Sequence, residues 1–281
     1  MARPLRLQCA GGIYHVMARG NNRKPIFHDD RDYKSMLAIL RDAAHNYAWA
    51  FYAYCLMPNH YHLVLETRDG NLSEGMRQIN GVYAMRFHKH HASVGHVFQG
   101  RFNSILIDRE PYLLQVCRYV VLNPVRADLV SKCEDWPWSS YLETLGERPK
   151  PKFLDSEWLL SQFSRGLEKA RKAYADFIAG GMKASPPWHH LKAGIFLGDE
   201  RFVCKFTNQI RAKRQVAEIP RAQRFAERPP LKEVLSSTNN SALRERQIAD
   251  ANILWGYSIK EIARYLAVHR SVVSRILSRH L

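Results

Sequence analysis

Residues 51–67 read FYAYCLMPNHYHLVLET. Residues 51–57 are an apolar, aromatic-rich run, Pro58-Asn59 is a tight-turn pair, and residues 60–67 resume the strand pattern. The stretch therefore predicts a β-hairpin. Along its second arm the side chains alternate between two faces. Tyr61, Leu63 and Leu65 point into the core, and His60 and His62 share the other face, roughly 7 Å apart by strand rise. Two imidazoles on one face of a rigid strand can converge on one metal ion. Taken alone, His-x-His beside a turn is a weak signal and reads first as two ordinary surface histidines. Glu66 falls on the histidine face further along, placed to orient a ligand rather than to bind one.

The pattern extends in both directions. Residues 12–18 (GIYHVMA) read as a strand ending at the turn signal Gly20-Asn21-Asn22. Asp29 or Asp30 can cap a helix through Tyr33, Met36, Leu37, Leu40 and Ala44, which have helical spacing. After the hairpin, Ser73 begins a second helix through Met76, Ile79, Val82, Tyr83 and Phe87. Residues 101–108 (RFNSILID) read as a fourth strand. Pro111 suits the first turn of a third helix through Leu114, Cys117, Arg118 and Val121. The order β-α-β-β-α-β, then a helix, predicts an α+β fold: a ferredoxin-like antiparallel sheet with helices on one face.

The texture changes after Tyr141. Residues 146–152 (GERPKPK) have a linker composition, and helical patterns follow around 158–163 and 167–178, the latter stopped by Gly180-Gly181. Residues 183–235 hold Pro-Pro pairs and many Arg. The expected division is a first domain over 1–145, a basic, partly helical connector over 146–235, and an all-α domain over 236–281.

The chain has 281 residues and a formal net charge of +16, with 42 Lys+Arg against 26 Asp+Glu. That surplus points to a polyanion, because each cation near a phosphate releases a condensed counterion. No apolar run reaches the roughly 18 residues of a membrane span, and the basic residues form no strongly amphipathic helix for a membrane surface. The five cysteines are scattered with no CxxC pair, which argues against a disulfide framework or a Cys-based zinc site. A reduced, cytoplasmic protein is expected.

A second chemical piece is RYVVLNPVRADLV, residues 118–130. On a helix Tyr119 and Asn123 share a face, about 5–6 Å apart at Cβ. Tyrosine can act as a covalent nucleophile, and an Asn amide oxygen can ligate a hard divalent ion. Pro124 disfavours helical geometry at Asn123, so the helix ends or kinks there. A buried tyrosine followed by an Asn cap is the plain alternative.

Five segments together carry a resemblance: GGIYHVMARGNNR (11–23), MPNHYHLVL (57–65), GHVFQGRFNSILID (95–108), YVVLNPVRA (119–127) and WPWSSY (136–141). In this order they resemble the single-tyrosine HUH nucleases (His-hydrophobe-His), and within them the REP-associated tyrosine transposases. The resemblance implies that His60 and His62 are the metal-binding pair, Tyr119 the nucleophile and Asn123 the third ligand. In the related insertion-sequence transposases that third position is usually Gln; Asn fits the REP-associated branch. It further implies Mg²⁺ or Mn²⁺ as cofactor and single-stranded hairpin DNA as substrate, cut through a 5′-phosphotyrosine that leaves a free 3′-OH. Arg19 and Asn21 after the first strand, Arg101 in GRF and Arg126 in NPVRA become candidate DNA contacts near the active face. Monomer and homodimer both stay open.

Two further stretches carry patterns of their own. His88, His90, His91 and His96 cluster in FHKHHASVGH, but their helical offsets point them apart, so a solvated or phosphate-facing stretch is expected rather than a second metal site. Residues 257–277 read YSIKEIARYLAVHRSVVSRIL. Ser258 and Glu261 have capping-box spacing, and Ile259, Ile262, Ala263 and Leu266 make an apolar face. After a turn at 267–269, a helix over 270–277 follows with Val272, Val273 and Ile276 inward. This resembles a helix-turn-helix, in which Arg270, Ser271, Ser274 and Arg275 would face duplex DNA. A rival reading of the whole chain is a DNA-binding transcriptional regulator with an inactive nuclease fold, against which the intact His60, His62, Tyr119 and Asn123 stand. A second rival is an RNA endonuclease using activated water, which predicts cleavage without a protein–nucleic acid adduct.

Overall fold

The hairpin sits inside a larger sheet. The computed structural model describes residues 5–182, 184–236 and 240–280, which group by contact into residues 6–198 and residues 199–280 with Leu5. The first unit runs β1 (Gly12–Arg19), α1 (Asp30–Asn46), β2 (Trp49–Met57), β3 (His60–Thr67), α2 (Leu72–His91), β4 (Asn103–Ile107), α3 (Arg109–Val121), α4 (Asn123–Arg126), α5 (Tyr141–Leu145), α6 (Ser156–Ser161), α7 (Leu167–Gly180), β5 (Leu191–Lys192) and β6 (Phe196–Leu197). The strand order is β2-β3-β1-β4-β6-β5. The first four strands pair antiparallel, and β6 joins β4 in parallel. Register places His62 opposite Met17 and Cys55, and His60 opposite Arg19 and Met57.

Both faces of the hairpin are covered. On one, the Tyr61 hydroxyl donates to Asn80 Oδ1 of α2 at 2.5 Å, and α1 packs along α2 and β2. Asp29 caps α1, its carboxylate accepting from the Arg31 and Asp32 amides, while Asp30 and Asp32 favour the positive end of the helix. On the other face, Ala53, Cys55 and Val64 share a cluster with Leu113, Val116, Cys117 and Val120 of α3. The expected arrangement with helices on one face is thus corrected: α1 and α2 take one side and α3 the other. The apolar face of α3 needs a partner, and the strand positions beside the histidines supply it.

Residues 146–198 also join this unit. Ala170, Tyr174 and Ile178 lie four apart on α7 and enter the same cluster with Leu159 and Leu160 of α6. The WPWSSY stretch covers the outer edge of β2: the Leu56 amide donates to Trp138 O at 2.8 Å and the Ser140 amide to Tyr54 O at 3.0 Å. Such covering blocks edge-to-edge pairing.

Gly20 closes the end of β1. Its amide donates to Asn59 O of the hairpin turn at 2.8 Å, and a Cβ built there would lie 2.1 Å from the Lys24 carbonyl oxygen. Backbone must move to admit it. Gly20→Ala is therefore expected to destabilise the first unit by about 1–3 kcal/mol, read as a lower urea midpoint.

The second unit holds α8 (Glu200–Cys204), α9 (Thr207–Arg211), α10 (Arg221–Arg224), α11 (Leu231–Val234), α12 (Ser241–Ile253), α13 (Ile259–Tyr265) and α14 (Arg270–Leu277). The Ser258–Glu261 capping box starts α13, with both reciprocal bonds formed. Leu235, Ile248, Ala251, Ile262, Val273 and Leu277 form its core. Val272, expected inward, is 42% exposed. Val273 and Leu277 sit one turn apart and take the buried stripe, which rotates Val272 out by about 100°. Among the described residues, no helix is long and apolar enough to cross a membrane.

Candidate active site

Strand alternation puts His15 and Arg19 of β1 on the same face as His60 and His62 of β3. The C-terminal end of α3 lies across that face. The Tyr119 ring meets the His62 ring edge-on with centroids 6.1 Å apart, and the His15 ring at 6.3 Å. His60 and His62 lie 4.9 Å apart between centroids. Tyr119, Asn123, His60 and Arg126 line one cleft of about 460 Å³, with Met57, Ala127, Met182, Ala184 and Pro186 around them. The structure therefore brings together the four residues singled out for chemistry, though they come from segments about sixty residues apart.

Hydrogen bonds set the histidine tautomers. Asn59 Nδ2 donates to Arg23 O at 3.0 Å, so its Oδ1 is the acceptor facing His60 Nδ1 at 2.6 Å. His60 then carries its proton on Nδ1 and presents the Nε2 lone pair. His62 Nδ1 lies 2.9 Å from His15 Nε2. With the His62 proton on Nδ1, His15 accepts there and Nε2 of His62 is likewise presented. Burial lowers the His15 and His60 imidazoles from 6.5 to about 4, and Arg19 adds to the effect at His60. His62 is pushed well below its ordinary value by burial and by the neighbouring His15, His60 and Arg19. All three rings are neutral at pH 7, the form that ligates a metal.

Asn123 starts α4 just before Pro124, where α3 has already ended at Val121. Its Nδ2 donates to the Tyr119 carbonyl at 2.9 Å and the Val120 carbonyl at 3.3 Å. The amide caps the end of α3 with its nitrogen and keeps its oxygen for another partner. Two neutral imidazole nitrogens and one amide oxygen suit a divalent ion such as Mg²⁺ or Mn²⁺ and leave its charge uncompensated.

The arginines divide. Arg19 sits opposite His60, and its Nε is buried with no hydrogen-bond partner. A buried guanidinium nitrogen without an acceptor beside a cleft suits an anion. Asn21 is exposed beyond it. Arg126, read from sequence as a phosphate contact, lines the cleft, and its Nε is likewise buried without a partner, while Nη2 donates to Ala184 O at 2.8 Å and Gly181 O at 3.3 Å. Its guanidinium carbon lies 5.2 Å from the Tyr119 ring centroid, so Arg126 ties the segment after α7 to the tyrosine. Arg101 is not on this face at all. It lines a separate cleft with Arg6, Arg77 and Asn80, on the Tyr61 side of the sheet. The reason is the chain path: Gly100 turns with φ +76° just before β4 begins.

Glu66 is occupied at the far end of β3. It accepts from the Tyr52 hydroxyl at 2.5 Å and pairs with Arg109, away from the cleft. In the second unit Arg270, Ser271, Ser274 and Arg275 are all exposed on α14.

Sequence reading missed His15 and Trp188. The Trp188 ring stacks on His15 at 5.2 Å and meets Tyr119 edge-on at 4.9 Å. His15 had a signal, since it lies on the same strand face as Arg19. Trp188 had none, because it arrives from a segment of linker-like composition.

The family described as "Transposase IS200 like" matches residues 9–123. The match begins just before β1 and ends on Asn123, so it contains His15, His60, His62 and Tyr119. This part of the chain is similar to the IS200-like transposases. Solved structures similar to the chain include two transposases. A REP-associated tyrosine transposase bound to a REP hairpin shares 20% identity over 56% of this chain and 93% of its own, with a TM-score of 0.45. A putative transposase from Deinococcus radiodurans R1 shares 17% identity over 48% of this chain and 95% of its own, with a TM-score of 0.30. No curated protein matches the chain significantly. The matched region thus ends where α3 gives way to α4, while the segment packing Arg126 and Trp188 onto Tyr119 lies outside it.

Proposed function

We propose that this protein is a REP-associated tyrosine transposase that cuts and rejoins single-stranded DNA at hairpin-forming repeats through a covalent bond to Tyr119. The observation that carries the reading is the Tyr119 ring edge-on to His62 at 6.1 Å, in one cleft with His60 and Asn123. The strand order β2-β3-β1-β4 supports a ferredoxin-like core for this enzyme, and α13 and α14 with their capping box support a helix-turn-helix. The first unit would do the chemistry and the second would hold duplex DNA. On this reading the protein acts in the cytoplasm, where it would meet its DNA.

His60, His62 and Asn123 would hold the divalent ion, which when bound supplies Lewis-acid polarisation of the scissile phosphate and stabilises charge on its oxygens. The chain's own groups supply the rest. Tyr119 Oη forms a bond to phosphorus as the bond from phosphorus to the 3′ oxygen breaks. The phenol proton is lost and the 3′ oxygen gains one, so protons balance. The products are a 5′-phosphotyrosine and a free 3′-OH, and reversal by a 3′-OH needs no ATP because the ester keeps the bond energy. Arg19 neutralises phosphate charge at the cleft. His15 and Arg126 position His62 and Tyr119.

The test is incubation with a hairpin oligonucleotide carrying single-stranded flanks, with and without Mn²⁺. The reading predicts a protein–DNA band that survives denaturing electrophoresis and depends on the ion. Cleavage with no covalent band would favour activated water instead. A protein ending at Gly198 is expected to keep the covalent band and to lose duplex affinity by at least about tenfold, measured by fluorescence anisotropy.

A further inference from the structure

We propose a second, structural transition-metal site, of the Zn²⁺ type, where the start of α1 meets the end of α2, held by Asp29, His90 and His91, with Asp32 orienting His91. Asp29, His90 and His91 each offer a ligand atom within 4.8 Å of the others. His90 Nε2 lies 2.9 Å from Asp29 Oδ2, and His91 Nε2 lies 2.8 Å from Asp32 Oδ2. His90 and His91 are neighbours on a helix, where side chains point about 100° apart, yet both reach toward α1 and their ring centroids are 4.3 Å apart. This corrects the expectation of a solvated stretch. Residues adjacent on a helix converge here because each meets a different carboxylate on α1.

The chemistry favours a borderline ion over Mg²⁺. Two imidazoles and one carboxylate, with a water to complete the tetrahedron, match zinc, whereas Mg²⁺ prefers an oxygen octahedron. Asp32 is 3% exposed and also accepts from the His28 amide at 2.8 Å, a fixed orientation of the kind that supports metal ligands. Binding through Nε2 of His90 requires its ring proton to sit on Nδ1. Arg31 Nη1 now lies 3.0 Å from His90 Nδ1, so it must swing aside, which its exposed side chain permits. The ion would replace the His90–Asp29 hydrogen bond and staple the start of α1 to α2. The staple bears on the segment after α2, whose Val97 carbonyl accepts from the Asn21 amide at 2.8 Å beside the Arg19 end of β1.

The test uses the full chain, stripped with chelator and titrated with Zn²⁺, and then with Co²⁺ for its visible d–d band. Wild type should bind one more equivalent than the His90→Asn/His91→Asn double variant, with a tetrahedral Co²⁺ band lost in the variant. Asp29→Asn keeps an N-cap acceptor for α1 and should weaken Zn²⁺ binding at this site at least tenfold with unchanged circular dichroism. Zinc should also raise the wild-type melting temperature more than that of the double variant. Equal stoichiometry and equal affinity in wild type and both variants would overturn the site. The outcome does not depend on Tyr119 chemistry.

Discussion

Tyr119→Phe is expected to abolish the covalent protein–DNA band while leaving hairpin affinity within about twofold. The change removes one oxygen and keeps the ring, and the ring is what the surroundings hold. Trp188 meets it edge-on at 4.9 Å and Arg126 lies over it at 5.2 Å. Both contacts survive in Phe, so loss of the adduct reports lost chemistry rather than lost structure. Removing the attacking atom leaves no slower route to the same ester. Adduct formation should fall below detection, at least about 10³-fold, with an unchanged urea midpoint. A wild-type level of adduct from the Phe variant would move the nucleophile elsewhere.

The second large effect is expected at His62. It is 4% exposed, at the centre of the face, with His15, His60 and Tyr119 all against it. His62→Ala removes one metal-binding nitrogen and the partner of His15. Several kcal/mol of stabilisation of the charged phosphate would be lost. At about 1.4 kcal/mol per tenfold, adduct formation should drop by at least about 10²–10³. His15→Phe keeps the stacking on Trp188 and removes only the bond to His62 Nδ1. As a positioning change it should cost about 10–100-fold, with partial recovery at raised Mn²⁺. Recovery separates the two cases, since a purely structural defect would not respond to the ion. Single-turnover rates across a Mn²⁺ titration measure both.

How much of this was legible in the sequence depends on how local each signal is. The hairpin was legible because alternation and the Pro58-Asn59 turn lie within a few residues of each other. The Tyr119/Asn123 pair was legible because one helical turn sets its spacing. His15 was not, because its partner His62 is 47 positions away and only the β1–β3 register joins them. Trp188 and the carbonyls that hold Arg126 were hidden further. They come from residues whose prolines and charges read as linker, although Ala170, Tyr174 and Ile178 before them already form a stripe that demands a partner. Arg101 shows the opposite failure. A family motif places an arginine near the site in sequence, and the turn at Gly100 places it on the far side of the sheet.

Trypsin offers a direct view of the central claim, that Tyr119 is the residue that bonds to DNA. Cleavage after Arg118 and Arg126 releases YVVLNPVR, residues 119–126, with Tyr119 its sole tyrosine. Nuclease-trimmed, trypsin-digested adduct should give this peptide with the added mass of a nucleotide, fragmenting to place it on Tyr119. The nucleotide on any other peptide, with residues 119–126 unmodified, would contradict the account.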